Sequence, residues 1–140
     1  MDAPKPAAAA AMTLSAPTTP GQLLDRMTIL RIKVQRVRDE AKRTSVAAEL
    51  RELTEIFDRH VTGSPQLEAL EGELQRVNES LWDVEDDLRL CEAHGRFDAR
   101  FVELARSVYK KNDLRFDIKR RIDQLLGSSM VEEKVYQAPE

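Results

Sequence analysis

The chain has 140 residues, 41% hydrophobic and 34% charged, with 5 Gly, 6 Pro and 5% aromatics. That length suits one domain with a core of its own, and the balance favours helices over a turn-rich sheet protein. A net charge of -3 argues against a generic nucleic-acid binder, and one cysteine with two histidines gives neither an internal disulfide nor an ordinary structural zinc site.

Residues 1–18 carry an alanine run and several prolines, without a periodic apolar face, and read as a disordered tail. Their start is acidic and the apolar run is interrupted, which does not suit a secretory signal. No segment approaches the roughly 18 apolar residues of a membrane span. The expected setting is cytoplasmic, with no membrane insertion, no nucleic acid and no cofactor.

A helical bundle is expected over 19–127. Thr19-Pro20 forms a helix start, and Leu23, Met27, Leu30, Val34, Val37 and Ala41 trace one narrow seam. The register shifts near Arg43 to Ser45, so a second helix is expected from Ser45 to about His60 with Val46, Leu50, Leu53 and Phe57 inside. No Gly or Pro forces that break, and a continuous bent helix is the alternative.

Thr62-Gly63-Ser64-Pro65 is the strongest punctuation in the chain. The helix after it keeps an unbroken seam of Leu67, Leu70, Leu74, Val77, Leu81, Val84, Leu88 and Cys91, which makes Cys91 a core residue rather than a reactive thiol. His94-Gly95 closes this helix. Asp98 caps the next, with Phe97 and Val102 expected to form a hydrophobic staple. The last helix opens with Phe101, Ala105 and Val108, passes through Asn112, Arg115 and Lys119, and returns to Ile122 and Leu126. Either it breaks at Asn112-Asp113 or those polar groups face a partly wet interior. Gly127 ends the bundle, and 128–140 is a tail whose Met130, Val131, Val135 and Tyr136 can dock on it. The expected fold is all-α, an antiparallel helical bundle of three long helices and one shorter helix with coiled-coil-like seams.

Charge is divided among the helices. From Gln66 to Glu92 there are nine acidic residues against two basic, a local charge of -7; Asp25 to Arg43 carries +4 and Arg106 to Arg121 carries +5. The acidic third helix therefore belongs between the basic first and last ones. Beside its seam, Asn78, Trp82, Glu85, Arg89 and Glu92 form a second, polar stripe. With Tyr109 these residues are candidates for a structural polar network. Arg89, Arg106, Asn112, Arg115 and Lys119 are candidates for binding a phosphate-bearing molecule, which a cluster of cations and amides would recognise by charge and hydrogen bonds.

Leu81-Trp82-Asp83-Val84-Glu85-Asp86-Asp87-Leu88-Arg89, the run Ala105-Arg106-Ser107-Val108-Tyr109-Lys110-Lys111-Asn112-Asp113-Leu114-Arg115, and Glu132-Glu133-Lys134-Val135-Tyr136 resemble an uncharacterised bacterial family catalogued only as a domain of unknown function. Gly21-Gln22-Leu23-Leu24-Asp25-Arg26 is similar to its opening motif. The chain departs from the pattern at Gln22, where glutamate is expected, and at Asp123, where asparagine is expected. The resemblance implies a place near sugar-transfer or surface-polysaccharide genes and implies no activity.

Enzyme templates fit poorly: there is no Gly-rich phosphate loop, no His pair at metal spacing and no Ser-His-Asp arrangement. Glu49, Glu52 and Glu55 with Asp83 and Asp86 fall short of the two carboxylate motifs of a helical pyrophosphohydrolase. The sequence therefore favours a non-catalytic binding or assembly protein with a protein partner or self-association, and the resemblance implies a setting accessory to bacterial glycan or surface-polysaccharide biosynthesis. The alternative is a small-molecule site, or an enzyme, for a phosphate-bearing ligand such as a nucleotide sugar.

Overall fold

A computed structural model of the chain describes residues 12–129 and 132–135. Four helices follow one another: α1 (Pro20–Arg36), α2 (Glu40–His60), α3 (Pro65–Ala93) and α4 (Ala99–Leu125), with no strand among the described residues. The chain is an all-α bundle. Among the described residues no helix is long and apolar enough to cross a membrane.

Side-chain caps start every helix. Thr19, Asp39, Ser64 and Asp98 accept from the backbone N–H three residues on, and Pro20 and Pro65 occupy first-turn positions where no donor is needed. Gly95 and Gly127 close α3 and α4 at φ +63° and +67°, where a side chain is disfavoured. The 2.8 Å bond from Arg96 N to Cys91 O and the 2.9 Å bond from Ser128 N to Asp123 O satisfy the last carbonyls there.

The first break lies earlier than the seam suggests. α1 ends at Arg36, Val37 is extended, and α2 starts at Glu40 rather than Ser45. Asp39 caps α2 by accepting from Lys42 N at 3.0 Å, while Arg43 donates to the Val37 carbonyl at 2.6 Å. These polar contacts turn the chain without Gly or Pro. Arg26 on α1 bonds Glu49 on α2, each about equally far from the turn, so the two helices are antiparallel.

α1 touches all three other helices, whereas α2 runs beside α1 alone. This changes the narrow seam expected for α1. Met27 and Leu30 are buried as expected, yet Leu24, Thr28 and Ile32 are more deeply enclosed and Ala41 is exposed. A helix enclosed by three neighbours buries more than one stripe. In α3 the seam holds at Leu67, Leu70, Leu74, Val77, Val84 and Cys91, with Leu81 and Leu88 half-buried. Leu24, Met27, Phe57, Leu74, Ile118 and Ile122 join α1, α2, α3 and α4 in one core.

α4 runs unbroken through Asn112-Asp113. The expected staple does not form: Phe97 and Val102 are both more than half exposed, and Phe97 packs edge-on against Phe101 at 5.2 Å instead. Acidic α3 lies against basic α1 and α4, with ion pairs Arg31–Glu71, Arg36–Asp83, Arg121–Glu73 and Arg100–Asp87. Such partly exposed pairs each contribute about 0–1 kcal/mol, so they select neighbours more than they stabilise. Residues 1–11 of the N-terminal tail, and Met130, Val131 and Tyr136, lie outside the described residues. Val135 does not dock on the bundle core; it is 86% exposed.

The start of α1 is pressed onto α4. Gly21 N donates to the buried carboxylate of Asp123 at 2.7 Å, which places an anion at the positive end of α1. A Cβ on Gly21 would stand 2.5 Å from the Lys119 carbonyl oxygen and 2.9 Å from Asp123 Oδ1. Gly21→Ala is therefore expected to lower stability by about 1–3 kcal/mol, the usual cost of forcing extra volume into a packed contact. Gly63, whose added Cβ would meet nothing within 4 Å, serves as the control. Gly63→Ala should leave the unfolding free energy from denaturant titration within about 0.5 kcal/mol of the wild type.

Candidate functional site

The principal buried polar cluster starts from Asp25 and Thr28, one turn apart on α1. The Thr28 hydroxyl donates to the Asp25 carbonyl at 2.7 Å and accepts from Asn78 Nδ2 of α3 at 2.8 Å. The same amide donates to Asp25 Oδ1 at 2.9 Å. From α4, Arg115 completes the cluster, with Nε to Asp25 Oδ1 at 2.8 Å and Nη2 to Oδ2 at 2.5 Å. Asp25 is 6% exposed, Thr28 0% and Asn78 4%.

A carboxylate this deeply enclosed is tolerable only when paired and hydrogen-bonded. The two-pronged guanidinium contact supplies both, in the geometry that makes arginine–carboxylate pairs strong. The hydrogen bond to Asp25 raises Arg115 above the ordinary arginine value; burial opposes this, and the charges of Asp25 and Glu132 reinforce it. Because the folded value is raised, this contribution to stability is complete throughout the neutral range and falls away as pH rises into the strongly alkaline range.

Two recesses flank Arg115. One, of about 420 Å³, lies among α1, α3 and α4 and is lined by Ile29, Asn78, Leu81, Trp82, Glu85, Asp86, Arg89, Asn112 and Arg115. The other, of about 700 Å³, lies between α4 and the segment 132–135. Val108, Tyr109 and Phe116 give it an apolar wall, and Arg115, Lys119, Asp113 and Glu132 give it charge. Asn112 and Arg115 line both recesses. The C-terminal segment is held along α4 by Lys119–Glu132 at 2.9 Å and Lys134–Asp113 at 2.5 Å.

The five residues expected to bind a ligand are thus divided. Arg89, Asn112 and Arg115 meet at the smaller recess, and Asn112, Arg115 and Lys119 at the larger; Arg106 is exposed and lines neither. Within the expected polar network, Asn78 is the member with side-chain hydrogen bonds, and its partners are Asp25 and Thr28. Glu85 and Arg89 share a recess wall but form no ion pair or hydrogen bond with each other, and Trp82 is half-buried beside them. Glu92 is exposed, and Tyr109 lines the larger recess.

Asp25, Thr28 and Asp123 are the residues that the sequence reading missed. Their signal is a polar series, Gly21, Asp25 and Thr28, running at helical spacing toward Ile32 on a face that is otherwise closed. Of the carboxylates weighed for catalysis, Glu49 and Asp83 are engaged by Arg26 and Arg36, while Glu52 and Glu55 on α2 and Asp86 on α3 are exposed. Among the described residues no group of three or more His, Cys, Asp and Glu is placed to hold a metal ion.

A family model described as a family of unknown function, DUF6165, matches residues 16–140. The chain belongs to that family. No curated protein and no solved structure gives a significant match. The matched span takes in both sides of the Asp25–Arg115 cluster and the segment that closes the larger recess.

Asn78→Leu tests the cluster without removing a charge. It should cost about 1–3 kcal/mol, because Asp25 and Thr28 each lose a buried hydrogen bond. Glu85→Ala, at an exposed position on the same helix, should change stability by no more than about 0.5 kcal/mol in the same denaturant titration.

Proposed function

We propose that the protein works by binding rather than catalysis, as a helical assembly protein whose contact surface is the distal part of the α3–α4 hairpin. One observation carries this reading. Between residues 85 and 117 every residue is described, and Cys91 alone is buried. Where α3 and α4 run on past the end of α1, no third helix covers them, and Leu90 and Phe97 are each 57% exposed and Val102 51%. Burying apolar surface is worth about 25 cal/mol per Å², so a partner that covers this arm gains what the chain's own core does not supply.

The setting proposed for this assembly is bacterial glycan or surface-polysaccharide biosynthesis, as the family resemblance implies, and its place the cytoplasm, as the single cysteine and the unsuited N-terminal run suggest. A second reading is a site for a phosphate-bearing small molecule. It is favoured by the meeting of Arg115 and Lys119 at one recess, and it does not use Arg106.

The arm is tested by replacing Leu90 and Val102 together with glutamate. Both side chains are exposed, so helicity and melting temperature should stay close to wild type. Sedimentation of the purified protein and affinity capture from the native host should show wild-type self-association or a bound partner, weakened at least about tenfold by the double substitution. Wild-type protein that stays monomeric and captures nothing, or complexes indifferent to the substitution, would contradict the proposal.

A further inference from the structure

The larger recess contains a cation that solvent barely reaches. The Lys119 side chain is 12% exposed and faces Glu132 across 2.9 Å. Beside it, Arg115 has two of its nitrogens committed to Asp25, while Nη1 has a long 3.5 Å contact to Asn112. The negative charge of Glu132 also acts on Arg115. One carboxylate from the C-terminal segment therefore serves two cations of α4.

The fit of that carboxylate is incomplete. Its Oε2 is buried and close to the Lys119 ammonium, yet it makes no aligned hydrogen bond among the described residues. A buried anionic oxygen held by charge alone is poorly satisfied, because hydrogen bonds normally replace lost hydration. The cavity beside it is also much larger than a carboxylate requires, at about 700 Å³, and Val108, Tyr109 and Phe116 form an apolar wall next to the charged pair.

We infer that this recess is a site for an organic phosphomonoester, and that Glu132 is its internal occupant, displaced when the phosphoryl group pairs with Lys119 and Arg115. A phosphoryl group brings more charge than a carboxylate and three acceptor oxygens, enough to engage Lys119 Nζ and Arg115 Nη1 together. The organic part lies against Val108 and Phe116. Lys134 and Asp113, at 2.5 Å, keep the other end of the segment tethered while Glu132 swings away. The inference rests on the second reading above and does not require a partner on Leu90, Phe97 and Val102.

The test is calorimetric titration of the full chain with phenyl phosphate and, separately, inorganic phosphate. Glu132→Gln, which removes the competing charge at a partly exposed position, should bind phenyl phosphate at least about tenfold more tightly than wild type. The Glu132→Gln/Lys119→Met and Glu132→Gln/Lys119→Gln variants, checked for an intact melting transition, should lose that gain. Inorganic phosphate should bind more weakly than phenyl phosphate because it leaves the apolar wall uncovered. In wild-type protein, phenyl phosphate should accelerate amide exchange at 132–135 as the segment is released.

Binding that depends on Lys119 but is no tighter in Glu132→Gln would overturn the displacement while leaving the ligand site standing. Absence of binding in every variant would remove both. A gain that survives loss of Lys119, or inorganic phosphate binding as tightly as phenyl phosphate, would overturn the assigned site or its ligand class.

Discussion

Asp25 sits on the helix that the other three surround, and its charge can be accommodated there only with a cation at hand. Arg115 reaches it from α4 with two hydrogen bonds, and Asn78 reaches it from α3 with a third. The cost of desolvating the carboxylate is met only when all three helices are in register, so the cluster specifies an arrangement as much as it stabilises one. Hydrophobic packing alone tolerates sliding of one helix along another. A two-pronged ion pair with an amide beside it does not.

A second tie makes the placement of α1 unique. Gly21 meets Asp123 one helical turn before Asp25 on α1, and Asp123 lies about two turns beyond Arg115 on α4. Two fixed points set both position and direction for the pair. Glycine at the first of these points is a steric requirement, because the Lys119 carbonyl occupies the space that a side chain would need. The same stretch of α4 that receives α1 also presents Lys119 to the larger recess, so docking of α1 and the shape of the candidate ligand site are mechanically linked. The distal α3–α4 hairpin has no such ties to α1, and its apolar residues are left exposed.

The legible parts of this chain are those governed by neighbours in sequence. Thr19-Pro20, Ser64-Pro65 and Asp98 announce helix starts through contacts three residues away, and the α3 seam follows from spacing alone. The turn before α2 is as local but lacks Gly and Pro, and the apolar spacing that continues past Asp39 conceals its cap. The buried cluster was illegible for a different reason. Asp25 finds its partners 53 and 90 residues away, and Gly21 finds Asp123 at a distance of 102, so no window along the chain contains both halves. Periodicity likewise placed Glu85 and Arg89 beside the α3 seam, but it does not say which neighbour covers that side, and the covered polar residue is Asn78.

The most direct measurement is a double-mutant cycle of Asp25→Ala and Arg115→Met, read by denaturant unfolding. Each single substitution leaves a buried or half-buried charge without its partner and should cost about 3–5 kcal/mol, whereas the double variant should cost well under the sum because no charge is stranded. Coupling above about 1.5 kcal/mol would establish that the pair holds α1 against α4. Additive losses of about 0.5 kcal/mol each would contradict the account and place the register of the bundle in its apolar seams alone.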